Sequence, residues 1–237
     1  MGESGSAYVK IWALASGSAK VVAVKELTVA EQIKEFTLGN DKVRFTRGNQ
    51  SFDFTINGNS ESIRLFYNYY EGYNSTTGQN SGAYIFRPKS DTPKPYSKID
   101  KSFYADGKVI GMIILSGDKS ITRVYLSKQS DMVRSFGFMV ETQLDSIPVN
   151  DNVGKEVTLN IQTNKNNNRT FYTDSMGLEH QKRVIDFRPS WNYTVYEPTA
   201  GNYYPVNSFI GIQDINTNKT VVVMSDRSQG GSVLRQG

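Results

Sequence analysis

Two carboxylates and the single histidine of the chain lie close together in sequence, at Asp174, Glu179 and His180. A retaining glycosidase uses two carboxylates about 5 Å apart, one as nucleophile and one as general acid. Asp174 and Glu179 flank a turn and are the nearest such pair in this block. A turn-capping aspartate beside an exposed glutamate is the simpler interpretation, and we favour it over a catalytic pair.

Metal and triad chemistry are disfavoured by the residue counts. A catalytic zinc takes three protein ligands, commonly imidazoles, whereas this chain has one histidine and no cysteine. A serine nucleophile would have only His180 as its base. We therefore predict that His180 is a surface residue and that the chain alone holds no zinc.

Sugar-facing chemistry remains open, because 14 tyrosines are available. A tyrosine offers a flat apolar face and a hydroxyl that donates and accepts, which suits the two kinds of sugar surface. The segment Asp226-Arg-Ser-Gln-Gly-Gly231 follows an apolar strand, and its glycines allow close backbone approach to a ligand or another domain. A plain turn with an Asp226–Arg227 surface pair is the favoured alternative.

The elements that must position these residues are strands. Apolar residues alternate with a period of two in 52–56 and 62–70, and Asn57-Gly58 between them suits a tight hairpin turn. Further strands are predicted at 8–14, 20–24, 42–47, 83–87, 108–115, 121–126, 133–142, 156–162 and 219–224. Segments 74–80 and 89–98 are predicted loops. Many short strands at close spacing predict a mainly β fold, an antiparallel β-sandwich.

One segment carries helical signals. Thr28-Val-Ala-Glu31 fits a capping box, and the segment ends at Gly39. It covers only about two turns and contains β-branched residues, so a helix is the less favoured outcome. A domain boundary is predicted near residues 38–41.

Five blocks together carry a family resemblance. In chain order they are Ser81-Gly-Ala-Tyr-Ile-Phe-Arg-Pro88, Ile147-Pro-Val-Asn-Asp-Asn-Val-Gly-Lys-Glu156, Phe171-Tyr-Thr-Asp-Ser-Met-Gly-Leu-Glu-His-Gln-Lys-Arg183, Glu197-Pro-Thr-Ala-Gly-Asn-Tyr-Tyr-Pro-Val-Asn207 and Asp226-Arg-Ser-Gln-Gly-Gly231. They resemble the C-terminal β-rich region of family 38 glycoside hydrolases, the zinc-dependent α-mannosidases of the lysosomal type. The resemblance runs from about residue 9 to the last residue.

This resemblance implies a domain plan. Residues 1–40 would end a small β-sandwich domain, and residues 41–237 would form a large sandwich of the galactose-mutarotase-like supersandwich type, incomplete at its C-terminus. In the family, zinc and the catalytic aspartates belong to an N-terminal domain that this chain does not contain. No residue here inherits a catalytic role, and the chain alone is predicted to be inactive.

The resemblance also implies two substrate-binding residues. Tyr84 occupies the tyrosine of the Ser-Gly-Ala-Tyr motif, which in the family hydrogen-bonds the terminal mannose. Arg227 lies in a loop that borders the active-site cleft in the family. Where the family usually has Gly-Gly-Ser-Ser, this chain has Gly230-Gly-Ser-Val233, so no role for a second serine is carried over. Tyr203 and Tyr204 point to opposite faces of a strand, so one can pack inward while the other stays at an interface. Structural packing is the favoured interpretation and docking to another domain is the alternative.

Charge and hydropathy argue against two classes of partner. A net charge of +4, from 27 basic and 23 acidic residues scattered singly, provides no basic stripe for nucleic acid. No run of 18 apolar residues is present to span a membrane. No apolar signal-peptide run follows Met1, and we interpret the N-terminus as a cut end. The predicted partners are mannose-containing glycans and the catalytic part of the same enzyme.

Five Asn-x-Ser/Thr sequons favour a secretory route, at Asn49, Asn74, Asn168, Asn192 and Asn218. The absence of cysteine leaves the compartment open, because a large sandwich can be secreted without disulfides. The likeness to the lysosomal type implies a lysosome or an acidic vacuole.

Three functions compete on these observations. The first is a segment of a retaining exo-α-mannosidase that removes terminal α-mannose from glycans, through a zinc-bound sugar and a covalent glycosyl-enzyme. This chain would supply scaffold and one wall of the cleft. The second is a stand-alone carbohydrate-binding β-sandwich without catalysis, and the third is a structural interaction module. The length of the resemblance favours the first.

Overall fold

A computed structural model describes residues 23–38, 41–56, 59–76, 78–82, 85–128 and 137–233. These described residues form strands and one 3-10 helix, at Ala200–Asn202, and no α-helix. The strands are β1 (Lys25–Glu26), β2 (Ile33–Leu38), β3 (Asp41–Thr46), β4 (Ser51–Ile56), β5 (Asn59–Glu71), β6 (Lys94–Pro95), β7 (Ile99–Asp106), β8 (Ile110–Gly117), β9 (Ser120–Ser127), β10 (Phe138–Leu144), β11 (Lys155–Thr163), β12 (Thr170–Ser175), β13 (Glu179–Val184), β14 (Tyr204–Val206), β15 (Phe209–Gln213), β16 (Thr220–Met224) and β17 (Gln229–Gly231). Within the described segments, no helix is long and apolar enough to cross a membrane.

The contacts divide the chain into two compact units. The first takes in the described residues up to Asn68, with Pro95–Pro148 and Leu159–Ile161. The second takes in Tyr69–Lys94, Val149–Thr158 and the residues from Gln162 onward. The domain plan 1–40 and 41–237 stays a prediction, since residues 1–22, 39 and 40 lie outside the described ones.

The first unit draws on two sheets, with strand orders β1-β7-β8-β9-β10 and β11-β5-β4-β3-β2. Alternation along β9 buries Val124 and Leu126, and alternation along β3 buries Val43 and Phe45. These four residues belong to one hydrophobic cluster with Phe52, so the apolar faces of the two sheets share a core. The mainly β, antiparallel sandwich prediction is confirmed.

A buried hydroxyl network crosses this first unit. The Tyr67 hydroxyl lies 2.6 Å from Thr122 Oγ1 and 2.8 Å from Thr142 Oγ1. Tyr67 and Thr122 are almost fully buried, so their hydroxyls depend on one another for hydrogen bonding.

Replacing Tyr67 with phenylalanine is expected to lower the free energy of unfolding by about 1–2 kcal/mol, because the buried Thr122 hydroxyl loses its partner. Tyr125→Phe is the matched control, since its hydroxyl bonds Glu141 at an exposed position. That control should change the free energy of unfolding by less than about 0.5 kcal/mol. Denaturant titration of both variants makes the comparison, and equal losses would contradict the prediction.

The segment with helical signals forms a turn and then a strand. Glu31 N donates to Thr28 Oγ1 and Thr28 N donates to Glu31 Oε2, both at 3.3 Å, so the capping-box hydrogen bonds are present. β2 nevertheless begins at Ile33 and places Phe36 and Leu38 in the core. Burial of residues two apart favours the extended chain over a helix.

Most of the candidate strands are confirmed where the structure describes them, at β3, β4, β5, β8, β9, β10, β11 and β16. Ile56 pairs with Asn59, as the hairpin prediction requires, while residues 57 and 58 lie outside the described ones. Candidate strand 8–14 and residues 20–22 and 133–136 also lie outside. The strand predicted at 20–24 is wrong for residues 23 and 24, which precede β1 and are not in a strand. The strand predicted at 83–87 is wrong for residues 85–87, where Gly82 and Ile85 form an isolated bridge.

The second unit contains a four-stranded sheet, β13-β12-β15-β16, and the two-stranded pair β14-β17. β12 and β13 form a hairpin whose turn holds Met176 and Gly177 at positive φ angles of 52° and 72°. β14 pairs antiparallel with β17, which sets Pro205 opposite Gly230. The motif blocks noted in the sequence therefore become neighbouring strands and turns.

Candidate functional site

A polar cleft of about 460 Å³ lies in the second unit, beside the first half of the Ser-Gly-Ala-Tyr motif. Amide, hydroxyl and charged groups line it together with aromatic rings, a mixture suited to a polar small molecule. The lining residues are Tyr70, Gly72, Tyr73, Asn74, Asn80, Ser81, Gly82, Phe86, Asn152, Gly154, Lys155 and Glu156.

Ser81 fixes one wall of this polar cleft. Its backbone N–H donates to the Tyr73 carbonyl at 3.0 Å, and its hydroxyl donates to the Ile85 carbonyl at 3.1 Å. Gly82 and Ile85 exchange two backbone hydrogen bonds of 2.9 and 3.3 Å. Tyr84 stands between them in sequence but outside the described residues, so its sugar contact stays a prediction.

A second wall approaches through Gly72. The Gly72 N–H donates to the Gly154 carbonyl at 2.8 Å. A Cβ at position 72 would lie 3.0 Å from Ser81 Cβ and 3.2 Å from the Gly154 oxygen. The close approach of these backbones is therefore the reason for a glycine here. The Lys155 ammonium is paired with both carboxylate oxygens of Asp151, at 2.8 and 2.7 Å.

Aromatic contacts join the cleft to the 197–207 block. The Phe86 ring centroid lies 5.6 Å from that of Tyr70 and 4.7 Å from that of Tyr203. Burial raises the pKa of Tyr70 and of Tyr203, so both phenols stay neutral at ordinary pH. Asp91 accepts hydrogen bonds from Thr199 N at 2.9 Å and Thr199 Oγ1 at 2.6 Å. Sequence reasoning singled out neither Phe86 nor Asp91, whose signal was only their position in or beside a motif block.

Tyr203 and Tyr204 both pack against aromatic rings of their own unit. Tyr204 meets the edge of Phe171, with ring centroids 5.7 Å apart, and the Arg183 guanidinium lies 4.4 Å from its ring centroid. A Cβ at Gly230 would lie 1.9–2.1 Å from three atoms of Tyr203. Gly230 therefore leaves room for the Tyr203 ring, which belongs to the same unit.

Arg227 is exposed and paired with its sequence neighbour. Its Nη2 lies 2.9 Å from Asp226 Oδ2 and its Nε lies 3.2 Å from Asp226 Oδ1, on two side chains that are each more than 70% exposed. Arg227 is not among the residues that line the polar cleft. The surface-pair alternative describes its contacts here, and the support of a sugar site stays a prediction.

Asp174 is a structural anchor. One carboxylate oxygen accepts the Gly177 N–H at 2.7 Å, which caps the β12–β13 turn as predicted. The other accepts the N–H groups of Asn207, Ser208 and Phe209 at 2.8, 3.0 and 3.3 Å. The predicted turn cap by Asp174 and the predicted exposure of Glu179 are confirmed, and the absence of a catalytic pair stays a prediction.

Asp214, directly after the end of β15, also anchors a turn by accepting backbone N–H groups. Its carboxylate accepts the N–H groups of Asn166, Asn216 and Thr217 at 2.8–2.9 Å. These hydrogen bonds, that of Asn166 first, lower the pKa of Asp214 to about 2. The β15–β16 turn is thereby tied to the segment before β12.

His180 is exposed, and its ring centroid lies 4.7 Å from that of Phe209. This confirms the prediction of a surface-packed histidine. Among the residues described, no three His, Cys, Asp or Glu side chains are grouped so that they could hold a metal ion. The described part of the chain therefore offers no ligand set for a zinc ion.

All five sequon asparagines have exposed side chains. Asn168 and Asn218 adopt positive φ angles of 44° and 59°, which places them in tight turns. Asn74 lies at the rim of the polar cleft. Exposure is the condition that attachment of a glycan requires, and modification itself stays a prediction.

Comparisons with known proteins agree with these blocks. Residues 44–237 match the protein family described as "Glycosyl hydrolases family 38 C-terminal domain". The lysosomal alpha-mannosidase of Dictyostelium discoideum is 37% identical over 182 residues, which cover 73% of this chain and 17% of the relative. A probable alpha-mannosidase of Arabidopsis thaliana is 36% identical over 195 residues, which cover 77% of this chain and 18% of the relative. The lysosomal alpha-mannosidase of Homo sapiens is 38% identical over 173 residues, which cover 70% of this chain and 16% of the relative. The chain spans less than a fifth of the length of these curated relatives.

Proposed function

Because this chain belongs to glycoside hydrolase family 38, through the C-terminal domain of that family, we propose that it is the β-domain segment of a retaining exo-α-mannosidase. The complete enzyme would remove terminal α-mannose residues from glycans and glycoproteins. The similarity to alpha-mannosidases over 70–77% of the chain supports this substrate class. The segment itself would act as scaffold and as one wall of the active-site cleft.

The observation that carries the proposal is the polar cleft beside Ser81 and Gly82. These residues begin the motif whose tyrosine, Tyr84, we propose as a hydrogen-bonding contact for the terminal mannose. Amide side chains at Asn80 and Asn152 offer donors and acceptors for sugar hydroxyls. Arg227, in its glycine-rich segment, is proposed as a second substrate-binding residue.

Catalysis is proposed to depend on another part of the same enzyme. The described residues do not fit a zinc site, and Asp174 is committed to four backbone amides. We propose that zinc and the catalytic aspartates belong to that other part, and that this chain would be inactive alone. The lysosomal relatives support residence in a lysosome or an acidic vacuole.

In the complete enzyme, Tyr84→Phe is expected to lower kcat/KM for an α-mannoside about 5- to 150-fold. That range corresponds to about 1–3 kcal/mol for the lost partner of a buried sugar hydroxyl. Tyr196→Phe serves as the control, because Tyr196 is 85% exposed. An unchanged kcat/KM for Tyr84→Phe would remove this residue from the substrate site.

Native mass spectrometry of the protein from its natural source, with an α-mannosidase assay on the same fraction, tests the function itself. We expect a species several times heavier than 26.6 kDa that contains zinc and cleaves an α-mannoside. A lone 26.6 kDa species that binds glycans without cleaving them would replace the proposal with a carbohydrate-binding module.

A further inference from the structure

One guanidinium group, that of Arg87, contacts a residue that lines the polar cleft, Tyr73, and two residues beside it, Gln79 and Glu197. Arg87 Nε lies 2.5 Å from Glu197 Oε1, and Arg87 Nη1 donates to the Gln79 carbonyl at 2.6 Å. The guanidinium carbon also lies 4.5 Å from the centroid of the Tyr73 ring. Tyr73 and Gln79 stand near the two ends of the loop that leads to Ser81, so a single side chain holds both ends of that loop.

The backbone of Arg87 adds two more contacts to the same loop. The Tyr73 N–H donates to the Arg87 carbonyl at 2.7 Å, and the Arg87 N–H donates to Ser81 Oγ at 3.2 Å. Arg87 therefore contacts this loop through both its side chain and its backbone. Movement of Arg87 would be transmitted directly to Ser81.

Glu197, the partner carboxylate, belongs to a firmly anchored segment. The Gly201 N–H donates to the Glu197 carbonyl at 2.7 Å, and Thr199 is bonded to Asp91 through its N–H and its hydroxyl. Asn202, next along the chain, is buried, and its Nδ2 donates to the Pro198 carbonyl at 2.7 Å. Glu197 thus supplies a fixed point for the Arg87 side chain.

The chemistry of the pair suits alignment more than stability. A guanidinium is planar and presents donors in a fixed fork, so it can bond a carboxylate and a carbonyl while it stacks on a ring. A lysine ammonium cannot reproduce the three contacts together. The side chains of Arg87 and Glu197 are 30% and 38% exposed, and partly exposed ion pairs contribute little to folding. Loss of the pair should therefore move the wall and leave the fold intact.

We propose that Arg87 and Glu197 are positioning residues that hold the Ser81–Gly82 wall of the polar cleft in the geometry that receives the sugar. The pair acts through Tyr73, Gln79 and Ser81, and neither residue needs to touch the substrate. This inference rests on the proposed function, because the wall is taken to face an α-mannoside.

The test uses the complete enzyme with Arg87→Lys, Glu197→Gln and the double variant, assayed on p-nitrophenyl α-mannoside. Each single change is expected to raise KM about tenfold with little change in kcat, because a displaced wall weakens ground state and transition state alike. The double variant should resemble either single variant, since both break one contact set. Backbone amide exchange should rise in residues 73–82 in all three.

Arg169→Lys is the matched control. Arg169 also pairs with a carboxylate, Asp186, at 3.2 Å and donates to a carbonyl, that of Ile185, at 2.8 Å in the same unit. These contacts do not involve residues 73–82, which Arg87 contacts through Tyr73, Gln79 and Ser81. Its KM and the exchange of residues 73–82 should match those of the wild type.

The outcomes separate the two proposals. A wild-type enzyme without α-mannosidase activity overturns the proposed function, and this inference falls with it. An active wild type whose variants show unchanged KM, unchanged exchange in 73–82, or additive single effects leaves the function standing and overturns the positioning role. The positioning role is supported by non-additive increases in KM together with faster backbone amide exchange in residues 73–82. Neither change should occur in Arg169→Lys.

Discussion

Asp174→Ala in the complete enzyme is expected to lower the midpoint of thermal inactivation by about 5 °C or more and to reduce the yield of folded protein sharply. The buried carboxylate accepts four backbone N–H groups, from Gly177, Asn207, Ser208 and Phe209. Alanine leaves these donors without their acceptor, which is costly when they are buried, and a large enzyme shifts by only a few degrees per kcal/mol. The β12–β13 turn and the start of β15 would lose their common anchor.

The same carboxylate gives this effect a pH dependence. Hydrogen bonds from the amides, that of Ser208 first, hold the pKa of Asp174 well below the ordinary value of 3.8. A carboxyl whose pKa is depressed by folding stabilises the protein fully above its unfolded pKa, and the stabilisation is lost as the pH falls through the folded pKa. The difference in midpoint between wild type and Asp174→Ala should be constant from about pH 7 to pH 5 and shrink below about pH 4.

Two companion variants make the Asp174 result specific. Asp174→Asn keeps one oxygen but turns an amide donor towards the backbone donors, so it should also destabilise, though less than alanine. Glu179→Gln changes the exposed member of the pair, and it should leave both midpoint and kcat/KM unchanged. A fall in kcat for Glu179→Gln without a change in the thermal midpoint would instead support a catalytic role for Asp174 and Glu179.

Gly230→Ala is the second substitution with a large expected effect, about 3 kcal/mol of unfolding free energy, at the upper end for overpacking. The new Cβ would lie 1.9–2.1 Å from the hydroxyl oxygen and two ring carbons of Tyr203. The Tyr203 ring also packs against Phe86, with the ring centroids 4.7 Å apart. Either the ring or the β14–β17 pair must move. Thermal inactivation of the complete enzyme would measure the loss.

A second-site variant tests the cause of the Gly230 effect. In a Tyr203→Leu background the ring is gone, so Gly230→Ala should cost markedly less there than in the wild type. Gly137→Ala is the control for the substitution itself, because a Cβ at Gly137 meets no atom within 4 Å. Equal losses in both backgrounds would show that the clash with Tyr203 is not the reason for the glycine.

Strands were predictable from sequence where one face of the strand is buried and the other is exposed to solvent. In β4, Phe52 and Phe54 are buried on either side of the half-exposed Asp53, and this produces the period of two. The segment from Ile33 to Leu38 has the same alternation, but the capping box before it suggested a helix. Thr28 and Glu31 form the hydrogen bonds of that motif within an isolated turn. A local signature fixes a turn, whereas burial of Phe36 makes the next segment a strand.

The contacts that shape the site could be predicted only in part. The cap from Asp174 to Gly177 is local, and an aspartate before a glycine turn indicates it. Its bonds to residues 207–209 join segments more than thirty positions apart, and no spacing rule predicts such a pairing. The Arg87–Glu197 pair is still more distant in sequence. The blocks indicated which segments matter, while their partners depended on the order of the strands.

A glycan at Asn74, as proposed, would make access to the polar cleft depend on the cell that makes the protein. The residue begins an Asn-Ser-Thr sequon and has an exposed side chain at the cleft rim. A branched oligosaccharide attached there would stand across the opening and screen it from large substrates. Protein from a bacterial host carries no such attachment, so material from bacterial and eukaryotic expression would differ in access to the cleft even with identical sequences.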